Sequence, residues 1–324
     1  FTTAGSSGGP DQTSVGDANG LNYDSVNNRL FVSDSRNLRV MVFDVATIID
    51  NEPAINVLGA VSFSASGAGF TQSGFGSYGP IGVLYVSTSN QLFVCDGTFN
   101  RVMIFDANPA TLVNGENAVD VLGQSSGGAV TYTEKGTNNS SNSVGFYNPR
   151  YTAVDTVNHR LFASDSFNHR VLVFNLDTSN ALVDYTADYV LGQYNFMDNA
   201  GAAGGGGSYM YKPAGLAYDD ARNLLFVADG SNRVMVFDVA GIANGESAIN
   251  VLGQSGLGGY GSATTQTGLS TSNQTNGLAL DSVNNRLFVA DTTNNRVVVF
   301  NLADGITDGE NAINVLGQAN FTSS

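Results

Sequence analysis

Catalysis by proton or group transfer usually needs a histidine, a cysteine or a carboxylate pair set apart from its surroundings. This chain of 324 residues carries two histidines and one cysteine. His159 and His169 lie in a segment written five times over, in slots that hold Asn28 and Asn285, or Asn100, Asn232 and Asn295, in the sister segments. They read as drift within a repeat, one near each end of a strand and so on opposite faces. Cys95 takes the slot of Ser33, Ser164, Ala228 and Ala290, that of a small buried strand residue. A lone cysteine also excludes an internal disulfide.

Carboxylates are the abundant chemistry. Asp34, Asp96, Asp165, Asp229 and Asp291 each precede an arginine by four or five residues, at Arg39, Arg101, Arg170, Arg233 and Arg296. At that spacing a carboxylate accepts backbone N–H groups in a tight turn and pairs with the arginine across it. A catalytic group is needed once, a turn lock in every copy, so these ten residues read as scaffold. A second set, Glu52, Glu116, Glu246 and Glu310, lies in turns of "NGE" type, with Tyr185 in the third copy's place. Asp24, Asp155, Asp219 and Asp281 close another strand, where the second copy has Val86, and Arg29, Arg160 and Arg286 stand near them. This acidic end either offers an interaction face to a cation or basic partner, or consists of solvated turn residues.

Metal and phosphate motifs are missing. There is no C-x-x-C, H-E-x-x-H or D-x-D-x-D-G, so no cofactor is expected, apart from a structural cation in a central channel. The run "GAAGGGGS" (201 to 208) lacks a following Gly-Lys-Ser/Thr and reads as linker. With 13 basic against 28 acidic residues the formal charge is −15, which repels nucleic acid. No apolar run reaches the roughly 18 to 20 residues of a membrane span. The chain starts at Phe1 without methionine and reads as a processed product or a piece of something longer. Asn138, Asn139, Asn273 and Asn320 open Asn-x-Ser/Thr glycosylation tripeptides. With the scarcity of lysine, they fit an extracellular or cell-surface protein.

The elements that must position these residues follow from the repeat. The arginines are spaced by 62, 69, 63 and 63 residues, and five copies of about 65 account for the whole chain as one domain. The repeats run approximately 18–79, 80–147, 148–212, 213–274 and 275–324, with 1–17 completing the last connection. Each reads as four short strands, as in "NGLALD" (276 to 281), "RLFVAD" (286 to 291), "RVVVFNL" (296 to 302) and "INVLG" (313 to 317), here named A to D. The middle two are β-branched and aromatic around a tight turn, a hairpin signature. They are apolar on both faces: Leu287 and Val289 point one way, Phe288 and Ala290 the other. A sheet covered on both faces stacks between like sheets. The expectation is an all-β, five-bladed β-propeller with one four-stranded antiparallel blade per repeat, closed as a ring with the A strands on the axis and adjacent termini. The D-to-A connections, such as 193 to 213 and 254 to 277, are long and rich in Gly, Ser, Thr, Asn and Tyr, and loops of that length usually bind something or merely roof the fold.

An A strand ending in Asp, then "LFVAD", then "NNRVVVF", resembles the NHL repeat class of β-propellers, in an enlarged bacterial-style form carrying "NGENAINVLGQ". The resemblance covers all five copies and implies the propeller fold. It leaves function open, because the class includes binding platforms, lyases and sensor ectodomains. The reading is a non-enzymatic extracellular interaction or assembly module whose partner is a protein, a glycan or another copy in a homo-oligomer or filament. The alternatives are an NHL-type lyase or glycan-acting hydrolase with a central-channel site, and a lectin-like sugar binder.

Overall fold

The computed structural model describes residues 9–126, 129–133, 140–201, 203, 205–271 and 277–324. Its described residues form five four-stranded antiparallel sheets in strictly sequential strand order, the blades of a five-bladed β-propeller. Blade 1 holds β1 (Ala18–Asp24), β2 (Arg29–Asp34), β3 (Arg39–Asp44) and β4 (Asn56–Leu58). Blade 2 holds β5 (Pro80–Val86), β6 (Gln91–Asp96), β7 (Arg101–Asp106) and β8 (Asp120–Leu122), followed by a small hairpin of β9 (Ser125–Ser126) and β10 (Ala129–Val130). Blade 3 is β11 (Pro149–Asp155), β12 (Arg160–Asp165), β13 (Arg170–Asn175) and β14 (Tyr189–Leu191). Blade 4 is β15 (Leu216–Asp219), β16 (Leu224–Asp229), β17 (Arg233–Asp238) and β18 (Asn250–Leu252). Blade 5 is β19 (Leu278–Asp281), β20 (Arg286–Asp291), β21 (Arg296–Asn301) and β22 (Asn314–Leu316). Among the described residues no helix is long and apolar enough to cross a membrane.

Two compact units share the blades. One contains blades 1 and 2 with residues 144–148 and 178–181, the other blades 3 to 5 with residues 140–143. Within each, the two-faced strands do what their composition demands. In the first unit, Phe31, Val40, Val42 and Leu58 of blade 1 pack on Val83, Tyr85, Leu92, Val94, Met103 and Phe105 of blade 2. In the second, Phe162, Val171 and Leu191 of blade 3 meet Leu225, Val227 and Phe237 of blade 4. The other face of blade 4, with Phe226, Val234 and Leu252, meets Leu287, Val289 and Phe300 of blade 5. Because side chains alternate across a strand, each middle strand feeds two interfaces at once.

The hairpin between strands B and C closes on an Asp–Arg pair in all five blades, with Asp34 opposite Arg39 and, likewise, Asp96 and Arg101, Asp165 and Arg170, Asp229 and Arg233, Asp291 and Arg296, the turn of blade 4 being one residue shorter. In blades 2, 3 and 5 the turn is one 3-10 turn ending in a left-handed residue, at Asn100, His169 and Asn295. Asn tolerates that conformation better than most residues. This explains the asparagine slots: His159 and His169, with φ of 56° and 57°, stand where Asn28, Asn100, Asn285 and Asn295 have φ of 51° to 55°.

Candidate functional site

Each hairpin aspartate and its arginine are fully or almost fully buried. The carboxylate Oδ2 accepts the arginine Nε–H at 2.8, 3.1, 2.7, 2.8 and 2.7 Å in blades 1 to 5. Its other oxygen accepts a backbone N–H from the segment entering the blade, from Gly16 to Asp34, Gly76 to Asp96, Tyr211 to Asp229 and Ser270 to Asp291. The aspartate thus ties turn, arginine and incoming connection together. Burial pushes the Asp96 carboxyl up to about 6 against the pull of the Arg101 charge, and pushes Asp229 upwards too.

The guanidinium ends reach further than the turn. Arg39 donates to the carbonyls of Asp11 and Ser14 in the connection entering blade 1 and of Phe63 in the one leaving it. Arg101 holds Thr71 and Gly74 on the way in and Tyr132 on the way out. Arg170 holds Asn142 and Phe196. Arg233 takes Tyr209 and Leu257, and Arg296 takes Thr265, Gly268 and Phe321. A planar five-donor fork suits this role, which lysine's three donors on one atom do not. Each arginine therefore clamps two successive D-to-A connections, and irregular backbone that would otherwise be buried unpaired is satisfied.

A second plug holds the connections apart from the arginines. The glycines of the "VLG" segments have positive φ, and a Cβ on Gly59, Gly192 or Gly253 would lie 2.5, 2.6 and 2.5 Å from Phe75, Met210 and Leu269. Each of these buried side chains comes from the connection and sits over the glycine; Phe146 does the same over Gly123.

The acidic end differs from a solvated carboxylate ring. Asp24, Asp155 and Asp219 are buried and turned into their own A-to-B hairpins, where they pair with Arg29, Arg160 and Arg222 at 2.9, 2.5 and 2.6 Å. Burial works against the charged form of Asp24, but bonds from Asn27 and Arg29 prevail and hold its carboxyl below the ordinary value. Asp281 bonds Asn284 at an exposed turn. Glu52, Glu116, Glu246 and Glu310 each accept the N–H of the residue three before, at Ile49, Val113, Ala243 and Thr307. Partial burial raises the last three carboxyls.

His169 stacks on Tyr211 at 5.2 Å, its Nδ1 accepts the Lys212 N–H, and burial, aided by the Lys212 charge, lowers its pKa. Cys95 is a buried strand residue opposite Val102. Among the described residues no group of three His, Cys, Asp or Glu is placed to hold a metal. Asn320 is exposed, its Oδ1 accepting from Thr322 and Ser323. Asn138, Asn139 and Asn273 lie outside the described residues.

What the clamps present is large side chains in water. In the three-blade unit the connections expose Tyr194, Met197 and Tyr260 at 55%, 73% and 60%. In the two-blade unit Val61 and Tyr78 are exposed likewise.

No curated protein matches the chain in sequence. Among solved structures, one titled "Crystal structure of Nidogen/Laminin Complex" aligns over 94% of this chain and 82% of that one, with TM-score 0.52 and 13% identity. The NHL repeat family matches residues 274–300, which span strands A to C of blade 5. The other four blades repeat that strand pattern with the same Asp–Arg closure, so the chain is a five-bladed β-propeller whose last blade matches the NHL repeat and whose other blades are built on the same plan.

Proposed function

We propose that this protein is a non-enzymatic, extracellular interaction and assembly module that works without a cofactor. Its binding surface is the clamped D-to-A connections. The observation that carries this is the pairing of opposites within each repeat: the buried charges hold the connections in place, and the connections expose Tyr194, Met197 and Tyr260. Exposed tyrosine and methionine on pre-ordered backbone suit a protein partner, because little conformational entropy remains to be lost on binding. That a structurally similar chain belongs to a nidogen/laminin complex agrees with a protein partner outside the cell.

The test is binding of the purified chain to an array of extracellular proteins and glycans, followed by Tyr194→Ala, Met197→Ala and Tyr260→Ala. A protein ligand whose affinity falls by about tenfold or more in at least one variant is expected, as for an interface anchor. Turnover of a glycan or ester by the wild type, abolished by a single carboxylate substitution, would replace this reading with the hydrolase. Binding confined to glycans would replace it with the lectin.

A further inference from the structure

The 193–213 connection closes around His169 from two sides. On the limb that returns to blade 4, Tyr211 stacks on the imidazole at 5.2 Å and the Lys212 N–H donates to its Nδ1 at 3.1 Å. On the limb that leaves blade 3, a Cβ on Gly201 would lie 2.6 Å from the ring's Nε2, so only a glycine leaves room for the ring there. Gln193 adds a bridge, its Nε2 donating to the carbonyls of His169 and Ala200. Tyr194 and Met197, which this limb exposes, are therefore carried on backbone gathered around one titratable side chain.

The bond to Lys212 is one of a repeated set. Asn100 Oδ1 accepts the Asn148 N–H and Asn232 Oδ1 the Thr271 N–H, each at 2.9 Å, so in all three blades the left-handed turn residue catches the next connection. An amide oxygen accepts at every pH. An imidazole does not, because a proton on Nδ1 turns the acceptor into a donor that faces another donor. The protonated ring would also set a second positive charge beside the Lys212 ammonium, which lies 5.3 and 5.2 Å from the centres of the Phe167 and Tyr211 rings.

Lys212 itself favours opening once that bond is lost. It has φ 50° and precedes Pro213, where the proline ring pushes the preceding residue towards extended backbone. Sister connections fill the same pre-proline slot with Gly79 at φ 62° and Asn148 at φ 60°, residues that tolerate the left-handed region better than lysine. A lysine persists there only because its surroundings hold it, and the His169 bond is one of those constraints.

The charged and titratable groups around the ring are Lys212 and Tyr211 of the connection, the Asp165–Arg170 pair of its own turn at 2.7 Å, and Asp229 of blade 4, which accepts the Tyr211 N–H and pairs with Arg233 at 2.8 Å. Burial and the Lys212 charge hold the His169 pKa below its ordinary value, so the closed connection binds fewer protons than the open one and loses stability as pH falls. Burial raises the Asp229 carboxyl, which acts with the opposite sign and makes acid strengthen what Asp229 holds. Loosening in acid is thus the signature of His169.

We propose that His169 is an acid-sensitive latch on the 193–213 connection: neutral, it holds Tyr194 and Met197 as a binding surface, and protonated, it releases them together with the protein bound there. This rests on the proposed function and adds regulation to the same surface. Tyr260 supplies an internal reference, because its carbonyl is held by Asn232, which does not titrate.

Hydrogen exchange of the full chain, followed by NMR and corrected for the intrinsic rate at each pH, reads the latch without any ligand. Opening at the Lys212 amide is expected to rise from pH 7.5 to pH 5, by up to about tenfold per pH unit below the ordinary histidine value of 6.5, while the Thr271 amide stays level. In His169→Asn, which places the sister residue in the slot, the Lys212 position should stay level too. A wild-type Lys212 amide indifferent to pH, or acid opening that persists in His169→Asn, would overturn the proposal. Lys212→Asn gives a second reading that does not depend on that variant. It relieves the backbone and removes the neighbouring charge, so its acid opening should be smaller than the wild type's, and an equal opening would count against the latch. A protein ligand weakened by Tyr194→Ala or Met197→Ala should then leave the wild type several-fold faster at pH 5.5 than at pH 7.5 and leave His169→Asn equally fast at both. Equal wild-type rates at the two pH values would overturn control of binding by the latch. Failure to find any protein ligand would instead defeat the proposed function, with the exchange measurement still deciding the latch.

Discussion

Arg101 illustrates what a buried charge does in this repeat. Its guanidinium contacts the Asp96 carboxylate and three carbonyls, and lies 4.9 and 5.2 Å from the Phe70 and Phe99 rings. Replacing it by methionine keeps much of the apolar stem's packing but strands a carboxylate without its counter-charge and the connections without their donors. Breaking such a pair from one side costs about 3–5 kcal/mol, so Arg101→Met is expected to lose stability on that scale in urea unfolding at pH 8. The loss should depend on pH with a definite sign. The folded Asp96 pKa of about 6 exceeds its ordinary 3.8, so the native state binds more protons than the unfolded chain between those values. Stability therefore falls as pH rises through that window. Without the cation the folded pKa moves higher still. The deficit of Arg101→Met should accordingly shrink on acidification to pH 5, and a deficit that is flat from pH 8 to 5 would contradict this account of the pair.

At the level of the element, the D-to-A connection is held at two places, and only one is legible in the sequence. The Asp–Arg closure recurs at nearly constant spacing, so its role follows from residue type and position alone, as do the strands and the blade count. The apolar plug does not. It is Phe75, Phe146, Met210 or Leu269, lying 16, 23, 18 or 16 residues after its glycine, so neither residue type nor spacing marks it. Burial of the strand A aspartates is hidden for another reason: acidic turn residues look alike in sequence whether they face water or a neighbouring arginine. The plug makes a specific prediction about glycine. Gly253 has φ 85°, and a Cβ there would lie 2.5 Å from Leu269. Gly253→Ala should cost about 1–2 kcal/mol for the left-handed backbone, plus the displacement of Leu269. Gly317 has a similar φ of 88° but no neighbour closer than 3.3 Å. Gly317→Ala should therefore show the backbone cost alone, and equal losses for the two variants in urea unfolding would mean the plug contributes nothing.

For the whole molecule, the connections offer a neutral surface and the charge sets how it can be used. The chain carries a formal charge of −15, and like-charged bodies repel over the Debye length, about 30 Å at 0.01 M salt and about 8 Å at 0.15 M. The side chains that the connections expose, Tyr194, Met197 and Tyr260, carry no charge. Apolar burial depends little on such salt concentrations, whereas repulsion spread over the surface is largely screened within that range. Binding of an acidic protein partner through these residues should consequently strengthen as sodium chloride rises from 0.01 to 0.15 M and then level off, as followed by calorimetric titration. Weakening with salt would show that a local attraction of opposite charges, and not the neutral side chains of the connections, holds the partner, leaving Tyr260→Ala without its expected effect.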